Sequence, residues 1–322
     1  MTVHAALRIG IVALAFGLGL AGPVWAEQSR GAGHPVAPVS PIPAPPAHPA
    51  APAPGLPPQA YTSRVAASEI ELRNLAAIVV ISPQDRADMQ VTVTNFNVLP
   101  NPQIRTAGRK LIIDGALDRR IQACGANGPF GVQVRGRGWV REGALPVIEI
   151  RTPQNVTLAN GGAVRLHIGP AQNAHLALAG CGMTDVERVI GQTEASVAGG
   201  DMQFHLIDTG SASLRLAGSN DVTIGAVRSG LELSVAGSGD VTVIRADGPT
   251  NIAVQGSGDV DIRDGRATTL SIAIAGSGDV THNGEAQRLD AAIVGSGDVR
   301  VRRVTGQVNR HVFGSGDVFV GQ

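Results

Sequence analysis

One pentapeptide, repeated at an almost fixed interval, limits this chain more than any other feature. GSNDV begins at Gly218, and GSGDV follows at Gly237, Gly256, Gly276, Gly295 and Gly314. The aspartates of the six copies, Asp221, Asp240, Asp259, Asp279, Asp298 and Asp317, are 19, 19, 20, 19 and 19 residues apart. A repeat this short cannot bury an apolar face alone, so it must stack on its neighbours as one coil of a solenoid. Weaker copies carry the series toward the N-terminus, at Gly199, Gly200 and Asp201, and at Gly180, Cys181 and Gly182 leading to Asp185 and Val186.

The pattern inside a repeat identifies the solenoid. Leu231, Leu233, Val235, Gly237, Gly239, Val241 and Val243 share one parity, with Glu232, Ser234, Ser238, Asp240 and Thr242 on the other. Period two is the signature of a strand. The register recurs at Leu270, Ile272, Ile274, Gly276, Gly278 and Val280, and at Leu289, Ala291, Ile293, Gly295, Gly297 and Val299. The reading is an all-β, single-stranded parallel β-helix of about 19–20 residues per coil, each strand pairing with its equivalent one turn on. Two glycines per coil mark the corner: Gly218 with Asn220, then Gly237 and Gly239, Gly256 and Gly258, Gly276 and Gly278, Gly295 and Gly297, Gly314 and Gly316. Asn is the non-glycine residue that best tolerates positive φ. Asn220 in place of the second glycine therefore predicts a left-handed backbone at that position. No Phe, Tyr or Trp occurs between His205 and His311, so the bore is expected to be thin and filled with Val, Ile and Leu.

The corners and strands together resemble the family known as putative autotransporter adhesin, head GIN domain. The resemblance covers roughly residues 61–322 and is strongest from Ala198 onward. It implies a β-helix fold, and an adhesin-like role whose activity is not established for the family.

The rest of the chain supplies an address. Residues 1–26 open with Arg8, continue through 18 uncharged residues and end on Val24, Trp25 and Ala26 before Glu27. That is the pattern of a cleaved secretory signal peptide. Four glycines and a proline in the run make a poor permanent membrane helix. Residues 27–60 form a Pro/Ala-rich disordered linker; eleven of the 24 residues from Pro35 to Pro58 are proline, which favours extended polyproline II. Residues 61–153 keep strand-like pieces without the period and are assigned as larger, irregular coils that cap the N-terminal end. Residues 154–322 are the regular β-helix. Its C-terminal end shows no lid in the sequence, which makes self-association through that end a partner hypothesis. The chain is expected to be exported, to the periplasm or the cell surface and beyond, with no integral membrane segment once the leader is removed. Equal counts of 26 basic and 26 acidic residues give no electrostatic reason to bind nucleic acid.

Stacking places the six aspartates in one outward column, neighbours about 4.8 Å apart. Repulsion between adjacent carboxylates in water is a little under ~1 kcal/mol before screening, which a stack tolerates without metal. Three readings stand: structural corners whose Asp and Ser accept backbone hydrogen bonds, a Ca²⁺ column, and a ligand-binding ladder. Cys124 and Cys181 are the only cysteines. In an oxidising compartment a pair is expected to bond, contributing roughly 4 kcal/mol for a loop of this length. Their separation of 57 is three periods, however, and three stacked coils would hold them too far apart. A disulfide requires the irregular N-terminal path; two isolated thiols are the alternative. The histidines include no HExxH, and His167, His175, His205, His282 and His311 read as scattered. Arg300, Arg302 and Arg303, near Arg310, form the densest positive cluster, either a polyanion patch or a solvated strand face. No cofactor is implied.

Two function classes follow. The first is a non-enzymatic envelope scaffold or adhesin-like module whose outward columns meet polysaccharide or another envelope component. The second is a β-helix enzyme acting on polysaccharide, which needs acids and bases converging in a groove. Near-identical coils suit display better. Activity, if present, belongs near the irregular coils bearing Asp114, Asp118, Arg119, Arg120 and Arg135.

Overall fold

The computed structural model describes residues 59–125, 130–199 and 202–321. The leader at 1–26, the linker up to residue 58, Gly200 and Asp201 of one degenerate corner, and Gln322 lie outside the described residues. The described chain is nearly all-β, 74% strand and 1% helix, wound as a parallel stacked β-solenoid of about nine turns.

One coil shows how the sequence produces this. Alternation along Leu231–Gly237 buries Leu231, Leu233 and Val235 and leaves Glu232 outside. The chain turns at Ser238, Gly239 and Asp240, and Val241–Ala246 then buries Val241 and Val243. Each strand pairs in parallel with its counterparts one coil away on both sides. Leu233 lies between Leu214 and Ile252, and Val243 between Ile224 and Ile262. Both ladders, one before the corner and one after it, feed a single aliphatic core, in which each fully buried Val, Leu or Ile contributes about 1.5–3 kcal/mol. The first glycines of the corners, from Gly218 to Gly314, lie in register. The one 20-residue coil takes up its extra residue at a register shift, where Gly248 and Thr250 face Ala267 and Leu270. The corner file is thereby kept straight.

The N-terminal end is closed by a change of strand direction. Glu69–Gln84 serves both ladders, pairing in parallel with Asn155–Ile168 on one side and with Lys110–Asp114 and Val147–Pro153 on the other. Beyond these the pairing turns antiparallel: Gln103–Ala107 on Lys110–Asp114, Met89–Asn95 on Val147–Pro153, and Gln59–Val65 on Met89–Asn95. The expected larger coils are thus short antiparallel excursions, which extend each ladder without another full turn. A separate three-stranded antiparallel sheet, Ile121–Gly125, Gly131–Val134 and Gly138–Arg141, buries Val132, Val134 and Val140 with Ala76, Ala163 and Phe130 in a second, smaller core.

At the other end Val312, which pairs with buried Ile293, is left exposed, and one inward position carries a charge. Arg310 pairs with Ala291, a buried inward position one coil earlier. Its Nη1 donates to the carbonyl of Val318, in the opposite ladder, at 3.2 Å. The guanidinium therefore crosses the end of the bore. An inward-pointing charge on an edge strand is a recognised way to discourage further pairing.

The aliphatic file is broken once more, by His282. It stands between Ile262 and Val301, is fully buried, and among the described residues neither ring nitrogen has a hydrogen-bond partner. Glycine at 284 makes room for it, since a Cβ there would lie 2.8 Å from the ring's Cε1. Burial holds the His282 imidazole below its ordinary value of 6.5, with Arg302 acting in the same direction and Asp264 against it. The folded state therefore prefers the neutral ring, whereas the unfolded chain takes up a proton as the pH falls through that ordinary value. Stability is complete above it and declines below it. Denaturant unfolding at pH 7.5 and 5.5 is expected to show the wild type losing more stability on acidification than His282→Val. Equal losses in the two proteins would contradict this account of the ring.

Candidate functional site

The corner column is the feature the sequence singles out, and its geometry follows from how closely the coils approach. The first glycine of each corner, in Gly218, Gly237, Gly256, Gly276, Gly295 and Gly314, has φ between +110° and +144°, a region closed to side chains. The second glycine has no positive φ; it is required for space. A Cβ on Gly239 would sit 2.2 Å from the carbonyl oxygen of Asn220, and one on Gly258 would sit 2.4 Å from that of Gly239. The expectation of a left-handed residue at Asn220 therefore fails. Asn220 is buried with an ordinary backbone, and its Nδ2 donates to the carbonyl of Ala217 at 2.9 Å. The side chain stitches the corner instead of relieving its backbone.

Four of the six aspartates, Asp240, Asp259, Asp279 and Asp298, are tied through their carboxylates to the coil that follows; those of Asp221 and Asp317 are not. Asp240 Oδ1 accepts the backbone N–H of Asp259 at 3.1 Å, Asp259 that of Asp279 at 2.8 Å, Asp279 that of Asp298 at 2.8 Å, and Asp298 that of Asp317 at 2.9 Å. The main chain runs a second ladder the other way, with the amides of Val241, Val260, Val280 and Val299 donating to the carbonyls of Asp259, Asp279, Asp298 and Asp317. The serine amides donate to the first glycine of the previous coil, as Ser257 does to Gly237 at 2.9 Å. Each corner is thus bonded upward and downward. The backbone partners that the structural reading of the corners called for belong to the next turn.

The remaining candidates are dispersed. Arg300 bridges Asp279 and Asp298 at 3.2 and 2.6 Å and lies 5.4 Å from the Phe319 ring centroid. Arg303 reaches Glu285 at 3.9 Å, and Arg310 points into the bore, so these arginines do not form one patch with Arg302. His167, His175 and His205 contact Glu187, Glu194 and Asp185 on neighbouring coils at 3.1, 2.9 and 2.9 Å. Among the described residues no three His, Cys, Asp or Glu side chains converge as a metal site.

Cys124 and Cys181 are joined in a disulfide, with a Cα–Cα distance of 6.1 Å. Cys124 lies on Ile121–Gly125 of the side sheet, off the solenoid path, which is how a 57-residue separation closes without three stacked coils intervening. Beside the bond is a cavity of about 340 Å³ whose wall includes Asn74, Leu117, Arg119, Gln122 and Gly162. Two of those residues, Asn74 and Arg119, hold left-handed φ of +46° and +50°, as does Ala116 at +53°. Asp114 Oδ1 accepts the amide of Ala116 at 3.0 Å, while Arg120 donates to the carbonyl of Arg135 at 3.3 Å. Asp114 serves its own turn and faces Arg105 at 3.9 Å, and Arg119, Arg120 and Arg135 flank the strands of the side sheet.

The ladder sets an expectation for substitution. Asp259→Ala removes the acceptor for Asp279 and is expected to cost about 1 kcal/mol, with Asp259→Asn costing less because it keeps an oxygen. Millimolar Ca²⁺ is expected to leave the melting temperature unchanged in thermal denaturation. A Ca²⁺-dependent rise that Asp259→Ala abolishes would overturn the structural reading of the column.

Comparison with known proteins places this geometry. Residues 244–321 match the family described as Putative auto-transporter adhesin, head GIN domain. Among solved structures, a putative adhesin from Parabacteroides distasonis ATCC 8503 aligns with a TM-score of 0.49 and 17% identity, covering 81% of this chain and 97% of that one. A putative adhesin from Parabacteroides merdae ATCC 43184 gives 0.44 and 13%, covering 82% and 97%. A putative lipid binding protein from Parabacteroides distasonis ATCC 8503 gives 0.40 and 19%, covering 83% and 97%. No curated protein matches the chain. The likeness to the Putative auto-transporter adhesin, head GIN domain family thus lies in the C-terminal coils, residues 244–321.

Proposed function

We propose that this chain is an exported, non-enzymatic binding module of the cell envelope or cell surface, a stiff solenoid that presents a recognition surface to polysaccharide or another envelope component. The observation that carries the reading is the corner ladder. The aspartate column that recurs coil after coil is hydrogen-bonded into the scaffold through the carboxylates of Asp240, Asp259, Asp279 and Asp298, so the repetition serves rigidity and leaves recognition to what the scaffold carries. The signal-like leader at 1–26 and the Pro/Ala-rich linker at 27–60 support export followed by display at a distance, and the family's adhesin description points the same way. Among the described residues no helix is long and apolar enough to cross a membrane. A second copy stacked on the C-terminal coil would have to displace Arg310 from Val318, so the partner surface is sought elsewhere.

The test is incubation of the purified protein with a panel of acidic and neutral polysaccharides, scored by co-sedimentation and by chromatography of soluble products. Retention on at least one polysaccharide without new products is expected. Product formation would instead establish the polysaccharide-degrading enzyme.

A further inference from the structure

The side sheet differs from the coils in chemistry as well as topology. On the coils, arginines are commonly matched with acids: Arg245 with Asp247 and Asp264, Arg188 and Arg228 with Asp208, Arg300 with Asp279 and Asp298. Residues 118–142 hold five arginines, Arg119, Arg120, Arg135, Arg137 and Arg141, against Asp118 and Glu142. Glu142 is already engaged by Arg165 at 2.8 Å. Among the described residues none of the five arginines makes an ion pair. A chain of zero net charge thus gathers an unbalanced positive surface on one small sheet.

The same sheet carries an exposed tryptophan. Trp139 lies on Gly138–Arg141, opposite Gln133, and is 50% exposed. Glycines form the floor beneath it. A Cβ on Gly131 would come within 2.5 Å of the indole Nε1, and one on Gly125 within 3.2 Å of Cη2. The indole therefore rests against the backbone of the two neighbouring strands and turns its other side to solvent. Alternation puts Arg141 on the same side of the strand as Trp139. The preceding hairpin, closed by the Arg137 amide on the carbonyl of Val134 at 2.9 Å, with Gly136 and Gly138 at φ +79° and +74°, presents Arg135 and Arg137 beside it.

A supported aromatic plane flanked by unpaired guanidiniums matches one ligand chemistry. The apolar face of a sugar ring stacks on an indole, and a planar carboxylate pairs with a guanidinium fork. We propose that the outer face of the side sheet is a binding site for a uronate-bearing acidic polysaccharide, with Trp139 as the stacking platform, Arg137 and Arg141 as carboxylate contacts, and Gln133 as a neighbouring hydroxyl partner. The assignment rests on the binding-module reading and names its ligand class. It places recognition on the side sheet, whereas the clearest repeats lie in the C-terminal coils.

The experiment is calorimetric titration of the full chain with oligogalacturonate and with a neutral oligosaccharide of equal length, at low and high salt. The wild type is expected to bind the acidic ligand at least tenfold more tightly, and salt to weaken that binding. Trp139→Ala and the pair Arg137→Gln and Arg141→Gln are each expected to lose about tenfold or more, with Trp139→Phe retaining most of the affinity. All three substituted positions are exposed, so unchanged melting temperatures are expected and separate lost recognition from lost fold. Acidic-ligand binding that survives every substitution would remove this site while leaving the binding module standing. Oligogalacturonate binding no tighter than that of the neutral sugar would remove the ligand class. DNA or anionic vesicles bound as tightly as oligogalacturonate, with Trp139→Ala unaffected, would show a charge effect alone and overturn the proposal.

Discussion

The closeness of consecutive corners governs this structure. At each turn a glycine Cα lies against the carbonyl of the glycine one coil earlier, so near that an added Cβ would fall 2.0 to 2.2 Å from the oxygen at Gly237, Gly256, Gly276, Gly295 and Gly314. Nothing larger than hydrogen fits there. That approach lets the serine amide reach the preceding glycine carbonyl and lets each aspartate from Asp240 to Asp298 receive the following aspartate's N–H. Steric exclusion, backbone pairing and carboxylate capping therefore act at one edge, and the aliphatic files inherit their register from it.

Departures from the repeat are informative because the repeat leaves so little freedom. His282 occupies an aliphatic position at the cost of two unmatched nitrogens and links the stack to pH. Arg310 stands where the preceding coil has the buried Ala291 and reaches Val318 across the bore. The side sheet leaves the winding path altogether, is held by Cys124 and Cys181, and gathers exposed arginines around Trp139.

The winding itself was legible because period-two alternation and a fixed 19-residue interval state both the strand and its neighbour. The alignment of Gly218 through Gly314 needed no further information. What each glycine does was less legible: Asn220 pointed to a left-handed second position, but the structure puts positive φ on the first glycine and crowding on the second. One substitution cannot distinguish dihedral freedom from lack of space. The disulfide was hidden for a related reason. Counting coils set Cys124 and Cys181 apart, and only the antiparallel detour of Ile121–Gly125 brings them to 6.1 Å. Trp139 could not be identified as a supported platform, because its glycine floor comes from two other strands. Long-range antiparallel packing has no period to read.

Residue-resolved hydrogen exchange of the corner amides tests the central claim most directly. The account requires the N–H groups of Asp279, Asp298 and Asp317, although located in solvent-facing turns, to exchange as slowly as those of the flanking strands. Rapid exchange at these three positions beside protected strands would show that the corners are not bonded from coil to coil, and the account would fail.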